Sequence, residues 1–185
     1  MARSLYLGPW RIDVEWRDAV PRLLPATVVA RVAAAALDVA GAPRPSSLGL
    51  ILSDDTELAE LNATHMGKDG PTDVLSFPLL PPEAYPAHPG KAEAGEAGGA
   101  DAGLGADFML PPGARQNLGD IVVSVERAMD QAGAGRGGQT GDVRWDARDE
   151  LRLLVTHGTL HVCGWDHAEK DEEAAMRALE RSLLA

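Results

Sequence analysis

The eleven-residue run His157-Gly158-Thr159-Leu160-His161-Val162-Cys163-Gly164-Trp165-Asp166-His167 holds three of the chain's five histidines. Its spacing constrains the local fold tightly. On a helix, positions i and i+4 share a face with Cβ atoms roughly 5–6 Å apart, so His157 and His161 can point at one ion. Gly164 can take the left-handed conformation that ends a helix. The chain then reverses, and His167 can return to the same point from outside the helix. A lone histidine here would be a polar tip on a packed helix; three at this spacing, with the glycine, favour one shared metal ion. Neutral imidazoles suit Zn2+ first, and three protein ligands leave a fourth position for water, as in catalytic rather than structural zinc sites.

The residue after the first histidine narrows the chemistry. Zinc peptidases with this histidine spacing place a glutamate there as general base; here it is Gly158. A mid-helix glycine costs about 1 kcal/mol against alanine, so something is expected to approach the backbone closely there, which adds slightly to the metal reading. Cys163 reads as a small buried filler. Asp166 reads equally well as a partner orienting a histidine and as a turn residue.

With 185 residues the chain is expected to form one domain. A lone cysteine excludes an internal disulfide. No apolar run is long enough for a membrane span or a secretory signal, which points to a cytoplasmic protein that does not engage membranes. The formal net charge of −11 argues against a broad basic surface for nucleic acid but not against a local basic cleft.

Alternation over Trp10–Trp16 predicts a half-buried strand, and runs at Leu48–Leu52, Thr72–Phe77 and Gly119–Ser124 predict three more. Helices are expected over Ala26–Val39, from Asp54 to about Ala63, after Ser124 to about Gln131, over Ala147–Cys163 and from Glu169 to Leu184. The Asp54/Glu57 pair marks a helix start, and Ala175, Leu179 and Leu183 share one side of the last helix. Of the 37 residues 81–117, 22 are Gly, Pro or Ala, so this segment is expected to be a flexible insertion, with Phe108-Met109-Leu110 able to dock and His88 solvated. Gly133–Gly141 is a second flexible connection. This order argues for an α+β fold: a small four-stranded mixed sheet packed with about five helices.

The motif H-G-x-L-H-x-x-G-x-D-H resembles the signature of the YbeY family, bacterial rRNA maturation factors described as metal-dependent, single-strand-specific endoribonucleases. Gly70-Pro71-Thr72-Asp73-Val74-Leu75-Ser76-Phe77-Pro78 resembles the family's P-T-D/N-V-L-S-F-P strand. Leu118-Gly119-Asp120-Ile121-Val122-Val123-Ser124 resembles its L-G-D-I-V-x-S strand, and the last helix, with Glu172, Glu173, Met176 and Glu180, is similar to its acidic one. The likeness runs from about Leu48 to the C-terminus, leaving aside 81–117. It implies a zincin-like site with one Zn2+ per chain held by His157, His161 and His167. It also implies work on the 3′ end of 16S rRNA, a part in ribosome quality control, and contact with the small ribosomal subunit, one of its proteins and a ribosome-associated GTPase.

One position departs from the pattern. Many members carry an arginine five residues before the proline of the first block, proposed to steady the phosphate; here that residue is Met66. Phosphoryl chemistry needs a cation on the non-bridging oxygens. Lys68 is the nearest candidate, with a solvated loop lysine as the alternative; Arg115 and Arg127 are weaker ones. Ser76 can touch substrate or bond to backbone, and Asp120 can support a ligand or open a strand. Beside the endoribonuclease stand two other readings: a ribosome-binding assembly factor braced by a structural metal, and a metal hydrolase acting on another substrate.

Overall fold

A computed structural model of the chain describes residues 2–18, 20–89, 114–133 and 145–185. Five strands form one mixed sheet: β1 (Arg3–Leu7), β2 (Trp10–Trp16), β3 (Ser46–Ser53), β4 (Val74–Pro78) and β5 (Gln116–Ser124), in the spatial order β1-β2-β3-β5-β4. The β2–β3 and β3–β5 pairs are parallel; β1–β2 and β4–β5 are antiparallel. The helices are α1 (Ala26–Val39), α2 (Asp55–Leu61), α3 (Val125–Gly133), α4 (Ala147–Val162) and α5 (Lys170–Leu184).

The expected four-stranded sheet is thus five-stranded. The added strand is β1, an edge strand with largely exposed side chains, so it lacks the apolar alternation that marks β2. The signal for it lay in the Gly8-Pro9 pair. Leu7 pairs with Trp10 across a two-residue turn, and Gly8 has φ +59°, as the tight turns favoured in hairpins require.

Alternation on the strands divides the interior. Ile12 and Val14 of β2, Leu48, Leu50 and Leu52 of β3, and Ile121 and Val123 of β5 belong to the main core, with Val29, Ala33 and Leu37 of α1 and Leu151, Val155 and Leu160 of α4. Ala175, Leu179 and Leu183 of α5 pack against it on the side their spacing predicts. Val122 of β5 and Leu75 of β4 form a smaller cluster with Leu58 of α2. The Asp54 carboxylate accepts from the Glu57 backbone N–H at 2.9 Å, capping α2. After Leu61 the chain widens into a π-helical turn, Asn62–Met66, in place of the last α-helical residues expected up to Ala63. Asn62 is buried, and its side-chain amide donates to the Gly70 carbonyl at 2.9 Å, holding the loop between α2 and β4.

Only the ends of the segment from 81 to 117 fall within the described residues. Pro82–Ala84 make a 3-10 turn, and Tyr85 is buried in the main core. The expectation of a solvated His88 is not met: its ring stacks on Trp165 with centroids 3.9 Å apart. Stacking hides the ring's faces, which composition alone does not foretell. Gln116 and Asn117 pair with Ser46 and Ser47, so β5 starts earlier than its apolar run suggests. Phe108-Met109-Leu110 and most of the Gly133–Gly141 connection lie outside the described residues.

Helix α4 rests directly on the sheet at Gly158. A Cβ at that position would stand 2.6 Å from Ile121 Cγ2 and 2.8 Å from Val74 Cγ2. The Ser76 hydroxyl donates to the Gly158 carbonyl at 3.0 Å, tying β4 to the helix at the same level. Gly158→Ala is therefore expected to push α4 off the strands and to destabilise by about 1–3 kcal/mol, the usual cost of overpacking a tight core. Urea denaturation checks this; a midpoint equal to that of the parent chain would contradict the close contact.

Candidate metal centre

Asp146 starts α4 with a capping box. Its carboxylate accepts from the backbone N–H groups of Arg148 and Asp149 at 2.7 and 3.1 Å, and the Asp149 carboxylate accepts from the Asp146 N–H at 3.2 Å. After its sixteen residues the helix closes on Gly164, with φ +80°. The Trp165 N–H reaches the Leu160 carbonyl and the Gly164 N–H the His161 carbonyl, both at 3.0 Å, the paired bonds of a left-handed helix stop. His167 follows the reversal, its N–H donating to the Asp166 carboxylate at 2.7 Å. Asp166 thus closes the turn that presents His167.

The three rings meet. One nitrogen from each of His157, His161 and His167 lies within 4.8 Å of the others. His157 Nε2 and His161 Nε2 are 3.0 Å apart, near the roughly 3.3 Å expected of two nitrogens each about 2.1 Å from one tetrahedral ion. His157 Nδ1 lies 2.7 Å from Glu180 Oε1, and Glu180 is only 2% exposed. A carboxylate oxygen accepts, so Nδ1 carries the proton and Nε2 presents a lone pair toward His161. His161 Nε2 either donates a proton to that lone pair or joins it on a shared cation. Burial first, then the neighbouring imidazoles His157 and His167, pushes His161 down to about 4, keeping that ring neutral at physiological pH. Three converging imidazoles, one of them held by a buried carboxylate, fit a late first-row divalent metal.

In the sequence, Glu180 stands out only as one acid of the last helix; the structure places it against His157. No local spacing announces it, since 23 positions separate it from His157. A signal existed nonetheless: Glu180 falls four residues after Met176, and both are buried, so an acid lies on the inward stripe of α5.

The cleft over the histidines has a volume of about 680 Å³. Asn62, Met66, Lys68 and β4 with its lead-in supply one part of its lining, α4 from Glu150 to His161 another, and Glu173, Met176, Arg177 and Glu180 of α5 a third. Lys68 lines it, as expected of a phosphate-binding candidate. Arg115 and Arg127 do not: the first donates to the Pro9 carbonyl and covers Tyr6, and the second pairs with Asp55 at 3.0 Å. Ser76 borders the cleft, but its hydroxyl proton is engaged by Gly158. Asp73 accepts from the Val74 N–H and the Gln131 amide, both at 3.0 Å, and acts as a brace. Asp120 lies over Gly49 of β3 and is not among the cleft residues. Cys163 is fully buried and its thiol is pushed up to about 12 by burial, the inert filler expected.

Comparison with known proteins gives a consistent result. The family profile described as Endoribonuclease YbeY matches residues 14–185. Proteins of that description are similar along most of their length. The one from Salinispora tropica is 41% identical, over 85% of this chain and 84% of its own. Those from Symbiobacterium thermophilum and Roseiflexus castenholzii are 36% and 34% identical, over 85% and 94% of this chain and 83% and 90% of theirs.

The Glu180 contact makes a spectroscopic prediction. In metal-free protein, nitrogen NMR is expected to find the His157 proton on Nδ1, and Glu180→Ala to release it to the mixture of tautomers seen in free imidazole. An unchanged His157 signal in the variant would remove Glu180 from this role.

Proposed function

This chain belongs to the YbeY family of endoribonucleases, and from that premise we propose that it is a zinc-dependent hydrolase cutting single-stranded RNA, with 16S rRNA 3′-end maturation and ribosome quality control as its setting. His157, His161 and His167 are the proposed ligands of one Zn2+. The observation that carries this reading is the convergence of three ring nitrogens within 4.8 Å, one locked by a buried carboxylate. Zn2+ bound there supplies Lewis acidity at a scissile phosphate and eases deprotonation of a water nucleophile.

The chain's own residues set the stage. Glu180 holds the His157 ring so that its lone pair faces the cluster. Gly158 and Ser76 hold α4 against β4, which keeps His157 and His161 at a set height above the sheet. The fold of the Gly164 turn returns His167. The cleft has a volume of about 680 Å³ and is lined by side chains from three parts of the chain. Peptide hydrolysis is disfavoured by Gly158, where the packing of Ile121 and Val74 leaves no room for a glutamate base.

The proposed setting is the cytoplasm, with the small ribosomal subunit, one of its proteins and a ribosome-associated GTPase as partners. No helix among the described residues is long and apolar enough to cross a membrane.

The test is metal analysis joined to an RNA cleavage assay. Purified protein is expected to hold about one equivalent of zinc and to cut a single-stranded oligoribonucleotide. His157→Ala should lose the metal and at least a hundredfold of the rate, while Glu180→Gln should weaken zinc retention about 10- to 100-fold. Cleavage that survives complete removal of the metal would end this reading. A cyclic phosphate on the product would show that the RNA's own 2′-hydroxyl is the nucleophile.

A further inference from the structure

The carboxyl side chains of Asp73, Glu150, Glu173 and Glu180 line the cleft, and Glu150 and Glu180 are buried. A strand lying along this cleft therefore needs cations from the walls for the phosphates that the proposed metal does not reach. Among the described residues lining it, Lys68 and Arg177 are the only lysine or arginine side chains. Met66, on the loop wall, contributes an apolar side chain.

Arg177 stands on α5 in the row Glu173, Met176, Arg177, Glu180, spaced so that all four face one side of the helix. It is one turn from the carboxylate that holds His157. Its guanidinium pairs with Glu173 one turn back, and the two side chains are 53% and 41% exposed. An ion pair that open to solvent is held by little, on the order of 0.5 kcal/mol. The guanidinium is thus anchored beside the cluster, already engaged by an oxyanion, and cheaply released to another. A guanidinium also matches the geometry of phosphate oxygens, which it can bind through two N–H groups at once.

We propose that Arg177 is a substrate-binding residue that takes a backbone phosphate of single-stranded RNA in the cleft, with Glu173 occupying the same guanidinium as an internal competitor when RNA is absent. Lys68, on the loop wall, has no ion pair among the described residues and supplies a second point charge to the same strand. This rests on the endoribonuclease reading and adds the group that offsets phosphate charge where Met66 cannot.

The experiment measures binding of a 12-nucleotide 2′-O-methyl oligoribonucleotide, which lacks the free 2′-hydroxyl, to zinc-loaded protein over a range of salt concentrations, beside cleavage of the unmodified RNA. Arg177→Gln is expected to weaken binding about five- to tenfold near 0.1 M salt and to lower the slope of log K against log salt by about 0.7, the share of one phosphate contact on a single strand. Arg177→Lys should keep the slope while binding less tightly. Glu173→Gln should tighten binding in the parent chain and do so much less in the Arg177→Gln background, since its effect passes through the guanidinium. If the parent chain binds and cuts RNA while Arg177→Gln leaves affinity and slope unchanged, the assignment fails and the nuclease reading stands. An equal tightening by Glu173→Gln in both backgrounds overturns the competitor role. A parent chain that neither binds nor cuts RNA removes both.

Discussion

The close seat of α4 on the β4–β5 edge is the contact on which the site depends. It is possible because position 158 has no side chain, and because Ile121 and Val74 fill the space a Cβ would need. The helix is held at that height by the Ser76 hydroxyl and is closed six residues later by Gly164. Two imidazoles one turn apart then rise on the side of α4 that faces the cleft, while Val155 and Leu160 of the same helix enter the main core. Packing and site geometry are consequently inseparable along this helix.

Around the histidines, charge is managed by pairing rather than by excluding acids. Glu180 is nearly inaccessible and is held by His157; Glu150 is equally buried and accepts from the Trp145 indole at 2.7 Å. A buried carboxylate left without a partner would cost several kcal/mol; here each is engaged, and that of Glu180 sets which imidazole nitrogen carries a proton. The overall charge of −11 therefore says little about the cleft. What matters there is which carboxylates are committed and which cations can still move.

Much of the architecture could be read along the chain. The alternation of Trp10, Ile12, Val14 and Trp16 marked β2, the Asp54/Glu57 pair marked the start of α2, and the Ala-rich run from Ala26 to Val39 gave α1 its limits. The three-histidine spacing with Gly164 described a helix, a stop and a return, and the structure has all three. Strand β1 escaped because an exposed edge strand has little apolar patterning, although Gly8-Pro9 pointed to a hairpin. His88 escaped because the partner of a stacked ring, Trp165, is far along the chain.

What the sequence by itself determined is whatever depends on neighbours within one turn or one strand: periodicity, caps, the helix stop, and the pairing of His157 with His161. Only the tertiary structure decided which distant groups meet. It joined Glu180 to His157, placed Arg177 with Lys68 around one cleft, and turned Arg115, Arg127 and Asp120 away from it. The physical reason is that hydrogen bonds and ion pairs act over a few ångströms of space, and chain separation carries no information about that distance until helices and sheet have packed.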